Sequence, residues 1–383
     1  MLLIAWKMLS GDRAKYLGIV LALGFTTLLV AQQGATMLNI LSRTTVFIDS
    51  IGGVDMWVTD SRAQYVDDIK ALSDMQVQRV RSVPGIAWAV PMYKGSIRAR
   101  MPDGNYQTSQ LVGVDDATLI GRPAEMVAGR FEDLRIADSI LVDEDAANDR
   151  LSQIEPDGTR RPLRVGDTLE LNDHLARVVG IYRGEQNFQS QPVIYTTYER
   201  AKSFSPSERK MLSFILAGLK PDADAVQVKQ DLFRSSGLLG RTAEEFSAES
   251  LAWFIANSGI VVNFGLSTLL AFLIGGGIAG QTFYNFMLDN QRYFAVLRAM
   301  GAPAVTLVAM VVLQACAVTL IGYGLGVGGV ALLAIYGPKT GPQVELSWLL
   351  LGITAFAVVF VGTAAGALGL RRVLRIDPAV VFK

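Results

Sequence analysis

The chain has 383 residues, 51% of them hydrophobic and only 18% charged, too apolar for an ordinary soluble protein yet short of one that is membrane throughout. Its 35 basic and 35 acidic residues balance, which selects no partner by itself, because membrane proteins segregate charge by side. A single cysteine, Cys316, excludes an intramolecular disulfide or a zinc site of several thiolates, and a single histidine, His174, excludes a multi-histidine metal site.

In chain order, residues 1–15 read as an amphipathic leader carrying Lys7, Arg13 and Lys15, and residues 16–40 as a first membrane span. That apolar stretch is too long for the core of a signal peptide and no small-x-small cleavage site follows it, so it reads as a retained anchor. Residues 41–257 have ordinary soluble composition. A second span follows at 258–286, a polar connection at 287–303, a third span at 304–335, a short loop at 336–345, a fourth span at 346–370 and a basic tail at 371–383. Each span supplies the roughly 20 apolar residues needed to cross about 30 Å of hydrocarbon. The expected fold class is therefore a four-span α-helical membrane protein with an inserted α+β extracytoplasmic domain.

Within the inserted domain, strand patterns occur at Met56–Thr59, Trp88–Pro91, Gly95–Arg100, Thr108–Val114, Ser139–Val142, Thr168–Leu171, Ala176–Tyr182 and Gln191–Tyr195. A helix is predicted over Ser73–Ser82, closed by Pro84-Gly85. A helix-plus-strand unit is expected around Lys210–Leu219 and Ala223–Ser235, and a helix over Ala243–Asn257 leads into the second span and could run on into it. Catalytic sets are missing: no Gly-x-Ser-x-Gly elbow occurs, and His174 lies in Asn172-Asp173-His174, which reads as a hairpin turn. The acid run Asp143-Glu144-Asp145 reads as a solvated face. This pattern describes a binding or coupling module, not an enzyme.

The spans carry Gln32, Gln33, Asn263, Gln281 and Gln314 but no mid-membrane charge, which argues against an ion-driven carrier. Glycines stand four apart at Gly276 and Gly280, Gly322 and Gly326, Gly324 and Gly328, and Gly362 and Gly366. Such spacing lets helix backbones approach closely, either between two copies or within one bundle. Lys7, Arg13, Lys15, Arg292, Arg298, Arg371, Arg372, Arg375 and Lys383 face only Asp12, Asp289 and Asp377 in the leader, the 287–303 connection and the tail, whereas residues 41–253 hold 25 basic and 31 acidic residues. By the positive-inside rule both termini are expected in the cytoplasm and the large domain on the opposite side of the membrane.

Several segments together resemble the FtsX/MacB-type (type VII) ABC transporter permeases over essentially the whole length. They are the leader Ala5-Trp6-Lys7-Met8-Leu9 with Gly18-Ile19, the domain motifs Val83-Pro84-Gly85-Ile86, Gly113-Val114-Asp115, Gly129-Arg130-Phe131, Val165-Gly166-Asp167-Thr168-Leu169 and Val178-Val179-Gly180-Ile181, the stretch Ala295-Val296-Leu297-Arg298-Ala299-Met300-Gly301-Ala302, and the tail Arg371-Arg372-Val373-Leu374-Arg375-Ile376-Asp377-Pro378-Ala379-Val380. The last two are the specific signals. Tyr293 departs from the family pattern, where many relatives carry glutamate. Among family members the chain looks most like the DevC-like exporters.

The resemblance implies a non-catalytic subunit that relays ATP-driven motion to its outer domain. No Gly-x-x-x-x-Gly-Lys-Ser/Thr loop exists in the sequence, so ATP and Mg would be bound by a separate ABC ATPase subunit. It further implies a second permease copy (a homodimer), lipid contact, no nucleic acid and, in DevC-like relatives, a periplasmic adaptor and an outer-membrane channel. Arg292, Tyr293, Leu297, Arg298, Met300 and Gly301 would form the ATPase-coupling segment, with Arg371, Arg372, Arg375, Asp377 and Pro378 as a further cytoplasmic contact. Arg292 and Arg298, six apart, fall on different faces of a helix, and either could instead anchor it at the lipid interface. Gly276, Gly280, Gly322, Gly326, Gly362 and Gly366 are the candidates for helix packing. Relatives that govern a periplasmic cell-wall hydrolase without moving cargo supply an alternative function.

Overall fold

The computed structural model describes residues 2–155, 158–184, 191–206, 211–336 and 346–374. The chain divides into a helical unit, Met1–Asn39 with Gly259–Lys383, and an inserted unit, Ile40–Ser258. It opens with α1 (Leu2–Gly11) and α2 (Arg13–Asp49). The inserted unit then adds β1 (Met56–Asp60), α3 (Met75–Arg81), β2 (Ile86–Arg100), β3 (Tyr106–Val114), β4 (Glu125–Gly129), a 3-10 turn (Phe131–Arg135), β5 (Ser139–Asp143) and α4 (Glu144–Asn148). It continues through β6 (Gln153–Ile154), β7 (Arg160–Arg161), β8 (Thr168–Leu171), β9 (His174–Arg183), β10 (Val193–Thr197), α5 (Tyr198–Phe204), β11 (Phe214–Leu219), α6 (Ala225–Ser236), β12 (Leu238–Arg241) and α7 (Ala243–Asn257). Helices α8 (Ile260–Asp289), α9 (Gln291–Ala299), α10 (Ala304–Tyr336) and α11 (Trp348–Leu374) complete the fold.

Among the described residues, α2, α8, α10 and α11 are long and apolar enough to cross a membrane. Leu266, Leu273, Leu320 and Phe356 project outward from them without protein cover, as a hydrocarbon solvent permits and water does not. The bundle packs on glycine. A Cβ placed at Gly322 would come 2.7 Å from Leu23 Cβ of α2, and one at Gly326 would overlap Thr27 and the Gly24 carbonyl. Gly362 and Gly366 of α11 lie against Thr319 and Ala315 of α10, Gly276 touches Val361 of α11, and Gly280 is buried. These glycines thus serve contacts within one chain, whereas Gly324 and Gly328 face open space. The tightest approach on α8 is at a glycine that the four-residue spacing does not select: Gly275 lies directly against the Thr26 hydroxyl.

The inserted unit is built on a sheet of order β12-β1-β11-β2-β3-β10-β5-β9-β4, with β8 paired to both β2 and β9. Strand β2 belongs to both halves of it: Ile86–Met92 pair with β11, and Tyr93–Arg100 pair with β3. Trp88–Pro91 and Gly95–Arg100 were expected as two strands, but they form one, in which Pro91 forfeits only one backbone donor and keeps its place opposite Ile215. One face buries Val80, Tyr198, Phe204 and Leu232. The other collects Trp57, Phe214 and Phe246 around Phe47 and Ile48, with Trp57 and Phe214 edge to face at 5.6 Å. Phe47 and Ile48 belong to the last turn of α2.

Two expectations are corrected. Helix α7 does not run into α8: it stops at Ser258, and Gly259 adopts φ +68°, a left-handed conformation that costs a glycine little. The acid run is not all solvated, because Asp143 is buried. Its carboxylate accepts from Ala146 N (2.7 Å), capping α4, and from Val193 N (3.0 Å), fixing the start of β10. The predicted turn at Asn172-Asp173 does connect β8 and β9, with both residues at positive φ as a tight hairpin demands, and His174 is exposed beside it.

Candidate functional site

The residues assigned to coupling converge on α9. The bend between α8 and α9 is made by Asn290, a buried side chain whose Nδ2 donates to Phe286 O (2.8 Å), while its own carbonyl accepts from Tyr293 N (3.0 Å). At the far end Gly301 N donates to Arg298 O and Ala302 N to Leu297 O, both 3.0 Å, with Gly301 at φ +91°. This paired closure needs a left-handed residue at Gly301 and satisfies carbonyls that the helix end would leave unpaired. Gly301 is therefore the stop of α9 and presents no side chain to a partner.

Between these ends the helix is sharply two-faced. Phe294, Ala295 and Leu297 (7% exposed) are buried, and Phe294 and Leu297 pack in one apolar cluster with Phe283, Phe286 and Met287 of α8. Leu297 thus holds the helix in place and does not face outward as its assignment to the coupling segment implied. Arg292, Tyr293 (62% exposed), Val296 and Met300 (71% exposed) lie on the open side. At about 100° per residue these four fall within roughly 100° of arc, so they form one stripe. Arg298, six residues past Arg292, is half-buried on the opposite side of the helix, between Phe294 and Ala295. Val296 was not singled out from the sequence; its signal was the three-and-four spacing to Tyr293 and Met300.

The position of α9 is reinforced from the start of α2. Lys15 Nζ pairs with Asp12 (3.0 Å) and with Asp289, the last residue of α8. The Lys15 hydrogen bonds hold the Asp12 carboxyl below the usual carboxylate range. Helix α1 is fixed to the bundle by Ala5 and Leu9, both buried, and by Gln314 Nε2 of α10 donating to Ala5 O at 2.9 Å. Arg371 and Arg372 fall in the last turns of α11, and Arg375, Asp377 and Pro378 lie outside the described residues. Among the described residues no cluster of three or more histidine, cysteine or acidic side chains could hold a metal ion.

The open side of α9 thus carries an aromatic, an aliphatic, a thioether and one guanidinium side chain. Residues 16–233 match the MacB-like periplasmic core domain family, and residues 253–378 match the FtsX-like permease C-terminal family. The chain is 25% identical over 345 residues to an uncharacterized ABC transporter permease of Mycobacterium tuberculosis, an alignment spanning 88% of this chain and 86% of the relative. Another, from Mycobacterium bovis, is 30% identical over 231 residues, 57% of this chain and 58% of the relative. The crystal structure of the periplasmic region of MacB from Actinobacillus actinomycetemcomitans aligns with TM-score 0.39 and 15% identity over 55% of this chain and 96% of that one. With its two matched families in order along one polypeptide and four membrane-length helices around them, this chain belongs to the MacB/FtsX-type ABC transporter permeases.

Proposed function

We propose that the chain is a mechanical relay. A separate ATPase subunit binds ATP and Mg, hydrolyses the nucleotide and pushes on α9, and the four spans pass the motion to the inserted unit. That movement drives export or extrusion of a lipid-like, glycolipid or peptide cargo. Both termini and α9 lie in the cytoplasm, the inserted unit lies in the periplasm, and a second permease copy completes the transporter. The observation that carries this reading is the α9 stripe, open on one side and anchored on the other by Phe294, Ala295 and Leu297. The basic residues of the leader, the α8–α10 connection and the tail support the orientation, and the relatives named as ABC transporter permeases support an ATPase partner.

The test is ATP hydrolysis by the chain alone, by its ATPase alone and by the two reconstituted together in lipid. The lone permease should hydrolyse nothing, and the complex should exceed the free ATPase. Replacing Tyr293 and Met300 together by Ala should weaken the docking by about tenfold, the scale of losing an interface anchor, with insertion unchanged. Arg298→Glu should likewise uncouple the pair. Hydrolysis by the permease alone, or full stimulation by every one of these variants, would overturn the proposal.

A further inference from the structure

The inserted unit contains a cavity of about 610 Å³, walled by the last turns of α2, the ends of β9 and β10, and the loop before β4. This volume is in the range of sites that take a small organic molecule. Its apolar wall includes Val46, Phe47, Pro123 and Ala124. Tyr182 and Tyr195 also line it, their rings edge to face at 5.2 Å and each about 3% exposed. Tyr182 spends its hydroxyl on Val193 O (3.1 Å), but the Tyr195 hydroxyl has no hydrogen-bond partner among the described residues. Burial without such a partner pushes the Tyr195 phenol far above its ordinary range, so the group stays a neutral donor. The side chain is largely buried and borders an open volume.

The charges at the rim add direction. Among the described residues, Asp49 and Glu125 line the cavity with Arg183 as the one basic side chain, and Arg183 is divided between Glu125 (2.8 Å) and Glu144 (3.1 Å). The rim is therefore net acidic, above aromatic and aliphatic walls. We infer that this cavity binds a cationic amphiphile, its apolar body against Phe47, Ala124 and the two tyrosines, a polar atom on the Tyr195 hydroxyl, and its positive group at Asp49 and Glu125. Aromatic faces beside the carboxylates favour the same charge. The inference concerns binding and does not rest on the transport reading.

The probe is rhodamine 6G, a lipophilic cation, titrated by fluorescence anisotropy onto the full chain in lipid nanodiscs with empty nanodiscs subtracted. Saturable binding is expected, weakened at least tenfold by Ala124→Trp, which fills the cavity, and about three- to tenfold by Tyr195→Phe, which keeps the ring and removes only the hydroxyl. Glu125→Gln should weaken the cation and leave the neutral dye Nile red unaffected. Circular dichroism melts verify that each variant is folded. Equal affinity in folded Ala124→Trp, equal binding of anionic fluorescein, or a signal no larger than that of empty nanodiscs would overturn the inference. Because no ATPase is present, loss of this site and loss of coupling through α9 are read in separate assays.

Discussion

Lys94 is a cation in the wrong solvent, with a side chain 2% exposed. Two contacts meet its ammonium there: Asp67 Oδ1 at 2.5 Å and the face of Phe47, 4.2 Å from Nζ to the ring centroid. Removing the carboxylate strands the charge, so Asp67→Asn should cost about 3 kcal/mol, while Asp67→Asn combined with Lys94→Met should recover most of it, as measured by chemical denaturation. Asp143 presents the opposite case. Burial pushes its carboxyl up to about 6, outweighing the hydrogen bonds from Ala146 and Val193 that favour the anion. A carboxyl raised in the folded state holds its proton more tightly there than in the unfolded chain. Its contribution to stability is therefore fully present below the unfolded value of 3.8 and lost as pH rises through about 6, a span of roughly 3 kcal/mol. Melts of the wild type and of Asp143→Asn between pH 4 and 7 should diverge by an amount of that order. Neither behaviour could be read from the sequence, because an acid run looks the same whether its first member caps a buried helix or faces water.

At the scale of elements, the spans and most strands were legible because their signals are local. Apolar length marks a span whatever it packs against, and Thr168–Leu171 alternates as a half-buried strand must. Contacts between elements were less so. Four-residue spacing pointed to Gly276, yet it is Gly275 that receives Thr26, since spacing names a face only to within one residue's rotation. Gly275→Val should accordingly disrupt the bundle, while Gly277→Val, at a position open to space, should be tolerated; detergent stability of the purified protein distinguishes them. Helix α9 was likewise legible as a segment but not as two faces. Leu297→Ala should destabilise the bundle by about 2–5 kcal/mol, whereas Tyr293→Ala should leave its melting unchanged. Both effects are measurable without any partner.

For the whole molecule, the insertion of an α+β unit between the first and second spans follows from composition alone, and the way its ends are joined does not. On one side α2 runs for 37 residues, about 55 Å at 1.5 Å per residue, well beyond what a bilayer core requires. On the other, Gly259 breaks the path between α7 and α8. The relay proposed above demands intact backbone hydrogen bonds along α2, so Asn39→Pro should abolish ATPase stimulation when the chain is reconstituted with its ATPase. Gly259→Ala, which strains a positive φ, should cost only about 1 kcal/mol. Strand β2 carries a different consequence. Its fifteen residues are the common border of both halves of the sheet, so neither half can open without stripping partners from the other. Urea should therefore meet an all-or-none transition in the inserted unit, with one midpoint for every probe placed along it.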